Sequence, residues 1–279
     1  MKSIHFLNGQ LVEEKDLLIS PRDLGYARGY AVFDFTVTYN GHPFKLSEHI
    51  ERLLKSAEMI GMESPWSNRE LIDDVKKTLE ANDYPEEKSI KIIISGGVSD
   101  TLVPDPKKLT LIILIDPRHK FPESDYQNGV TLLPVEFCRY SPEAKTNNYI
   151  EGVKQSIEAL KVGAIEPLYY DDKQVYEGAT CNIFALIDGQ LLTPKSNILG
   201  GITRDTLLKI LKLNVEVVER DFQMEELLNA TEAFITASNK EVMPVVKIGG
   251  KLIGEGKLGE VTGEVMRQFR EFTDQYSGE

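Results

Sequence analysis

The apolar residues of this chain occur in short runs that tight turns interrupt. No unbroken apolar run exceeds five residues, as at 111–115, and a run of that length cannot cross a bilayer. Asn-Gly pairs stand between apolar runs at Asn8-Gly9 and Asn40-Gly41, a pattern that predicts β-hairpins. We therefore expect sheets of short strands with helices packed against them.

Length and charge limit the possible functions. With 279 residues, of which 41% are hydrophobic and 27% charged, the chain can form two folded domains. Its net charge of −12 opposes binding to nucleic acids or anionic membranes, so we expect a small-molecule ligand. Two cysteines and four unpaired histidines predict neither a disulfide framework nor a metal site. The N-terminus lacks the apolar stretch of a signal peptide, which predicts a cytoplasmic protein.

The pattern of elements predicts a mixed α+β fold in two domains. Strands at 4–7, 35–39, 90–95 and 109–115, with helices near 47–60 and 71–79, predict a small N-terminal domain at 1–116. Ser47 is the expected N-cap of the first of these helices, and Gly61 is expected at its end. The polar stretch 117–127 contains two prolines and predicts a linker. A larger β-rich domain is expected at 128–279, with strands at 130–137, 182–187, 190–193, 215–218 and 233–236 and helices at 150–163 and after Thr203.

Lys145 lies between an apolar strand and the start of an amphipathic helix, where a side chain can face a pocket. A lysine amine attacks an aldehyde when it is partly desolvated or close to other cations, because it is then often neutral. The alternative is a solvated surface lysine, which is the usual case for a lysine in a loop.

Glu177 ends one strand, and Gly178 follows it. A carboxylate at this position could face a ligand ring, and beside a pyridine nitrogen it would hold the ring proton. The alternative is an exposed glutamate on an edge strand.

Two segments offer donors to an anion. Gly200 and Gly201 precede Ile202 and Thr203 at the start of a helix, where backbone N–H groups can converge on a phosphate. A plain turn with Thr203 as N-cap would have the same sequence. The other segment is Thr236-Ala237-Ser238-Asn239, whose sequence is also typical of an ST-turn. Outside these two segments, Arg52 could bind the same phosphate or form a surface ion pair.

Together these pieces resemble the class IV aminotransferases, the fold-type IV pyridoxal phosphate enzymes. The resemblance extends over nearly the whole chain and consists of Asn8-Gly9, His49-Ile50-Glu51-Arg52-Leu53, Lys145-Thr146-Asn147-Asn148-Tyr149, Glu177-Gly178 with Asn182-Ile183-Phe184, Gly201-Ile202-Thr203-Arg204 and Pro244-Val245. The family includes branched-chain and D-amino-acid aminotransferases and aminodeoxychorismate lyase.

The resemblance implies a role for each matching residue. Lys145 would form the internal aldimine with pyridoxal 5′-phosphate and move the substrate proton, and Glu177 would pair with the pyridine nitrogen. Leu199 would lie against the ring, and the residues implied for the phosphate are Arg52, Ile202, Thr203, Ala237 and Ser238. The family also implies a homodimer with the cofactor between its two domains, and an amino acid and a 2-oxo acid as substrates.

The chain departs from the family pattern where the substrate is recognised. The usual Gly-Asp-Gly-Val-Phe-Glu stretch is Gly29-Tyr30-Ala31-Val32-Phe33-Asp34 here, and Arg28 stands where an aromatic residue is more usual. A guanidinium binds a carboxylate with two parallel hydrogen bonds, so we expect Arg28 to bind a substrate carboxylate. Structural ion pairing is the alternative. Phe33, Lys91 and Asn239 are the other expected substrate residues, and Arg28 and Lys91 could act across the dimer.

The leading hypothesis is a transaminase for branched-chain L-amino acids or D-amino acids, and Arg28 slightly favours the D-amino acids. An aminodeoxychorismate lyase is the main alternative, and it would need no 2-oxo acid acceptor. A non-catalytic protein that binds pyridoxal phosphate is a third hypothesis, although it would not require both Lys145 and Glu177.

Overall fold

The computed structural model describes residues 3–278 and divides them into two compact units. Unit 1 consists of 3–119, 144–148 and 276–278, and unit 2 consists of 120–143 and 149–275. Met1 and Lys2, part of the N-terminal pattern considered above, lie outside the described residues. Within 3–278, no helix is both long and apolar enough to span a membrane.

Unit 1 is a six-stranded antiparallel sheet with helices. Its elements are β1 (Ile4–Leu7), β2 (Gln10–Glu13), α1 (Leu24–Arg28), β3 (Ala31–Tyr39), β4 (His42–Pro43), α2 (Leu46–Met59), α3 (Asn68–Glu80), β5 (Lys88–Ser95) and β6 (Thr110–Pro117), with 3-10 helices at Glu14–Asp16 and Pro106–Lys108. The strand order is β2-β1-β6-β5-β3-β4. The Asn-Gly pairs connect β1 to β2 and β3 to β4, which confirms both predicted hairpins.

The helices of unit 1 cover one face of this sheet. On α2, Ile50, Leu53 and Ala57 are fully buried, and on α3 the same holds for Leu71 and Val75. They pack against the apolar side chains of β5 and β6 in one core cluster. Burial of these branched side chains is the main favourable term that holds the helices on the sheet.

The ends of α2 show where local sequence predicts well and where it does not. Gly61, at φ +73°, follows the helix as predicted, because a glycine adopts this left-handed conformation without strain. The predicted N-cap Ser47 is wrong. The helix begins at Leu46, and its cap position is Lys45, two residues before Ser47, in a left-handed conformation and with no side-chain cap.

Unit 2 contains a nine-stranded mixed sheet. Its elements are α4 (Glu123–Asn128), β7 (Val130–Glu136), α5 (Ile150–Lys161), β8 (Glu166–Tyr170), β9 (Val175–Gly178), β10 (Asn182–Ile187), β11 (Gln190–Thr193), α6 (Ile202–Ile210), β12 (Glu216–Glu219), α7 (Met224–Leu228), β13 (Glu232–Ala237), β14 (Glu241–Ile248), β15 (Lys251–Leu252) and α8 (Glu260–Asp274). The strand order is β12-β11-β10-β13-β14-β7-β8-β9, and β15 pairs with β14. Sheets and helices occur in both units, which confirms the predicted mixed fold class.

Two segments differ from the sequence predictions. The expected linker 117–127 includes the last residue of β6 and the first five residues of α4. Helix α6 begins at Ile202 with Gly201 as its N-cap, so Thr203 lies inside the helix and the alternative of a Thr203 cap is excluded.

Candidate active site

The backbone around Lys145 is fixed within unit 1. The Phe33 N–H donates to the Lys145 carbonyl at 3.0 Å, and the Asn147 N–H donates to the Ala31 carbonyl at 2.9 Å. A third bond, from the Lys145 N–H to the Ser56 hydroxyl at 3.0 Å, joins the segment to α2. Residues 144–148 therefore lie beside β3, joined to it by an isolated antiparallel bridge between Val32 and Thr146, and Lys145 is half-buried rather than a freely solvated surface lysine.

The amine of Lys145 lies over an aromatic ring that it shares with a second lysine. Its Nζ is 4.6 Å from the centroid of the Phe33 ring, and the Nζ of Lys91 is 4.9 Å from the same centroid. Burial lowers the pKa of Lys91. The structure thus brings together three residues predicted from the sequence. Lys145 is partly buried and a second lysine amine lies at the same ring, and both features favour a nucleophilic amine.

A buried charge cluster lies beside this segment on β3 and α2. The Asp34 carboxylate accepts two hydrogen bonds from Arg52, from Nε and from Nη2, each 2.8 Å long. His49, one helical turn before Arg52, has its Nδ1 2.6 Å from Oδ1 of Asp34. Arg52 is therefore engaged with a carboxylate, and its expected contact with a phosphate stays a prediction.

The electrostatics of this cluster fix its protonation states. Burial would raise the pKa of Asp34, but Arg52 and His49 outweigh it and hold that pKa well below its ordinary value of 3.8. Burial lowers the pKa of His49 more than Asp34 raises it, so the imidazole is neutral at physiological pH. Since the ionised Asp34 only accepts, His49 donates from Nδ1, and its buried Nε2 has no hydrogen-bond partner within 3–278.

Glu177 is held from three sides within unit 2. It is buried at the end of β9, and one carboxylate oxygen accepts from Arg139. The other oxygen accepts from the Asn182 side-chain amide at 3.2 Å and from the Leu199 N–H at 3.0 Å. These contacts exclude the exposed edge-strand alternative and leave Glu177 an oriented, buried anion.

Arg139 is a residue that the sequence analysis missed. It follows β7, and the same Nη2 that contacts Glu177 also donates to the Pro142 carbonyl at 2.8 Å. The two residues are 38 positions apart in sequence, so no local pattern connects them. Only the strand order β7-β8-β9 brings Arg139 close to the end of β9.

The start of α6 is shaped to admit an anion. Its N-cap Gly201 provides no side-chain cap, so none occupies the backbone N–H groups of the first turn, where Ile202 and Thr203 are buried. A Cβ on Gly201 would lie 1.9 Å from Oδ1 of Asn182, so only glycine fits this close approach. Asn182 also donates to the Leu199 carbonyl at 2.9 Å, which fixes the loop before the helix.

The predicted donor segment 236–239 lies at the end of β13. Thr236 pairs in register with Asn182 of β10, and Asn182 contacts Glu177. The segment therefore follows the strand next to β10. The Thr236 hydroxyl is buried and has no hydrogen-bond partner among the described residues. A buried hydroxyl of this kind requires a partner, which a bound phosphate would provide. Ala237, Ser238 and Asn239 follow it and are half-buried.

Arg28 is not joined to these groups by any contact that the structure describes. It is exposed at the end of α1, and its Nη1 donates to the Ala27 carbonyl at 2.8 Å. No ion pair of Arg28 is present within 3–278, so the structural ion pair considered as the alternative is not seen either.

Comparison with known proteins identifies the family. Residues 31–248 match the model of "Amino-transferase class IV", and the chain belongs to this family. It is 35% identical to a putative branched-chain-amino-acid aminotransferase of Methanocaldococcus jannaschii, over 95% of each chain, and 32% identical to a D-alanine aminotransferase of Staphylococcus aureus, over 98% of each.

Solved structures confirm the fold-type IV architecture. A branched-chain amino acid aminotransferase from T.th. with pyridoxamine 5′-phosphate has a TM-score of 0.91 at 26% identity, covering 98% of this chain and 95% of that one. The enzyme from Thermoproteus uzoniensis with norvaline has a TM-score of 0.89 at 27% identity, covering 99% and 96%. The protein is therefore a transaminase that depends on pyridoxal phosphate, as the sequence predicted.

The buried charge of Asp34 gives a prediction about acid stability. A carboxyl group whose pKa is depressed in the folded state contributes stability above its ordinary pKa of 3.8, and this contribution is lost as the pH falls through the folded-state pKa. Asp34→Asn should lower the free energy of unfolding by about 3 kcal/mol near neutral pH, because Arg52 loses its buried partner. Urea unfolding should show this difference shrinking below about pH 4. The exposed Asp73→Asn is the control, and an unchanged difference in acid would contradict the assignment.

Proposed function

We propose that Lys145 carries the cofactor and moves the substrate proton in this transaminase. The observation that carries the proposal is the position of its amine, 4.6 Å from the Phe33 centroid with Lys91 at the same ring. Pyridoxal phosphate, when bound, supplies an electron sink for the bond that breaks at the substrate Cα. The fixed backbone at Lys145 and the contact of its amine with the Phe33 ring would hold the amine where it could take up the proton from the substrate Cα.

Glu177 is proposed as the partner of the pyridine nitrogen. A carboxylate that accepts hydrogen bonds from a guanidinium, an amide and a backbone N–H is stabilised as an anion. An anion beside the ring nitrogen favours the protonated ring. Arg139 orients Glu177 and balances its charge, and Leu199 is proposed to lie against the ring.

The phosphate is proposed to bind at the start of α6 and the segment after β13. Ile202 and Thr203 supply N–H groups at the positive end of a helix, and Ala237 and Ser238 follow the buried, unpartnered Thr236 hydroxyl. These groups fit a phosphate in number and chemistry. Arg52 is also proposed to contact the phosphate. Its guanidinium is held in place by Asp34.

The substrate is proposed to be bound by Lys91, Arg28, Phe33 and Asn239. Lys91 has the strongest support, because its ammonium lies at the same ring as Lys145 and can attract a carboxylate close to the reacting atoms. Relatives named for branched-chain amino acids and for D-alanine both support the two donor classes expected from the sequence.

The first experiment follows the visible absorption of the purified protein with pyridoxal phosphate, before and after separate additions of L-leucine, D-alanine and L-glutamate without an acceptor. One donor should convert the lysine-bound cofactor to its amino form, and that donor settles the handedness.

Lys145→Ala should reduce turnover by about a thousandfold or more, because both attachment and proton transfer are lost. Exposed Lys173→Ala is the control. Turnover without any 2-oxo acid would instead indicate a lyase.

Each of the two candidate cations can be tested by its effect on the kinetics. Lys91→Met and Arg28→Met should each raise the KM for the amino donor about tenfold, since each removes one charge-assisted contact with a carboxylate. The matched control is Lys55→Met, which changes an exposed lysine of α2. An unchanged donor profile in either variant would contradict the role of that residue.

We also propose that the protein is a homodimer in a reducing, cytoplasmic compartment. Helix α5 exposes apolar side chains on one face: Ile150, Val153, Ile157 and Leu160 are 78%, 58%, 51% and 73% exposed. An apolar stripe of this kind on a helix supports a protein interface, and a second copy of the chain is the partner that the family implies. Cys138 and Cys181 are free thiols, which agrees with the compartment.

The proposed dimer can be tested by placing a charge on α5. Val153→Asp and Ile157→Asp should convert the dimer to a 31.4 kDa monomer, because an interface buries an unpaired carboxylate only at high cost. Sedimentation equilibrium measures the mass directly. Leu252→Asp, at a side chain that is 55% exposed on β15, is the control. A dimer that persists in both α5 variants would place the interface elsewhere.

A further inference from the structure

A buried ion pair in unit 2 has no role in the chemistry described above. The Lys240 Nζ lies 2.8 Å from Oε1 of Glu166, and the two side chains are 5% and 6% exposed. Thr180 completes the group. Its N–H donates to Glu166 at 3.1 Å, its hydroxyl also donates to Glu166, and Nζ of Lys240 donates to the hydroxyl oxygen at 2.8 Å. These three residues are called the Lys240 cluster below.

The cluster connects two turns at the same end of the sheet. Thr180 lies between β9 and β10, three residues after Glu177, and Lys240 lies between β13 and β14, two residues after Ser238. Because β10 and β13 are antiparallel neighbours, with Asn182 opposite Thr236, the two turns lie side by side. Glu166, at the start of β8, binds to both.

The Lys240 cluster contains a charged lysine paired with a carboxylate, and this pairing opposes movement of the two turns. Burial would lower the pKa of Lys240, but Glu166 outweighs it and raises that pKa, so the lysine keeps its charge. A buried charge is tolerated only with its partner in good geometry, so displacing either turn is unfavourable. The Lys240 backbone is also fixed, since its N–H donates to the Ala237 carbonyl at 3.1 Å and its carbonyl accepts from the Tyr126 hydroxyl at 3.2 Å.

We propose that Lys240, with Glu166 and Thr180, is a positioning residue that fixes the turn 237–240 for the phosphate of the cofactor. The inference rests on the proposed phosphate site and adds residues to it that act through the backbone of Ala237 and Ser238. Donors that are already ordered bind an anion more tightly, because binding does not have to immobilise them.

The test compares two ligands that differ only in the phosphate. The protein freed of cofactor is titrated with pyridoxal phosphate and with pyridoxal, and the absorption of the lysine-bound ligand gives each affinity. Thr180→Val and Lys240→Met should reduce the preference for pyridoxal phosphate roughly tenfold, as the loss of an outer partner of a binding group does elsewhere. Thr180→Ser, which keeps the hydroxyl, and the exposed Lys251→Met should stay within about twofold of the unmodified protein.

The outcomes separate this inference from the proposed function. An unchanged ligand preference in folded Thr180→Val and Lys240→Met overturns the inference, and so does an equal loss of both ligands, which indicates a purely structural role. Thermal unfolding verifies that the variants are folded, and Thr180→Val decides the matter if Lys240→Met does not fold. Failure of the unmodified protein to bind either ligand at Lys145 would instead overturn the proposed function.

Discussion

The backbone hydrogen bonds between residues 145–147 and β3 determine where Lys145 lies. Hydrogen bonds at Phe33 and Ala31 hold this segment beside β3 through an isolated bridge, and the bond to Ser56 joins it to α2. The amine of Lys145 lies over the Phe33 ring, 4.6 Å from its centroid. Because β3 also carries Asp34, one strand positions both Lys145 and the neighbouring charge cluster, and the proposed role of Lys145 would benefit from this preorganisation.

The interiors of the two units are organised by carboxylates that are paired with cations. Asp34 with Arg52, Glu177 with Arg139 and Glu166 with Lys240 are each in direct contact. An unpaired buried charge is strongly unfavourable, so each pair restricts its surroundings to one arrangement. The chain carries a net charge of −12, but each of these three buried carboxylates has its charge balanced by a cation in direct contact with it.

Sequence reasoning succeeded where the determining contacts are local. Asn-Gly turns, the buried face of α2 and the end of that helix at Gly61 follow from residues a few positions apart. It failed at Ser47, because the left-handed backbone of Lys45 starts the helix earlier than the side-chain preference suggests. Arg139 and Lys240 were missed, since their partners are 38 and 74 positions away and only the strand order brings them together.

The sequence by itself determined the family, the cofactor and the candidate residues for the chemistry, because these depend on motifs that stay together along the chain. Lys145, Glu177 and the Gly201–Ile202 helix start could be named before any coordinates existed. The tertiary structure decided which charges are paired, that Arg52 is held by Asp34, that Lys91 shares a ring with Lys145, and that the apolar face of α5 is exposed. Those outcomes depend on long-range packing and on burial, which a single sequence does not specify.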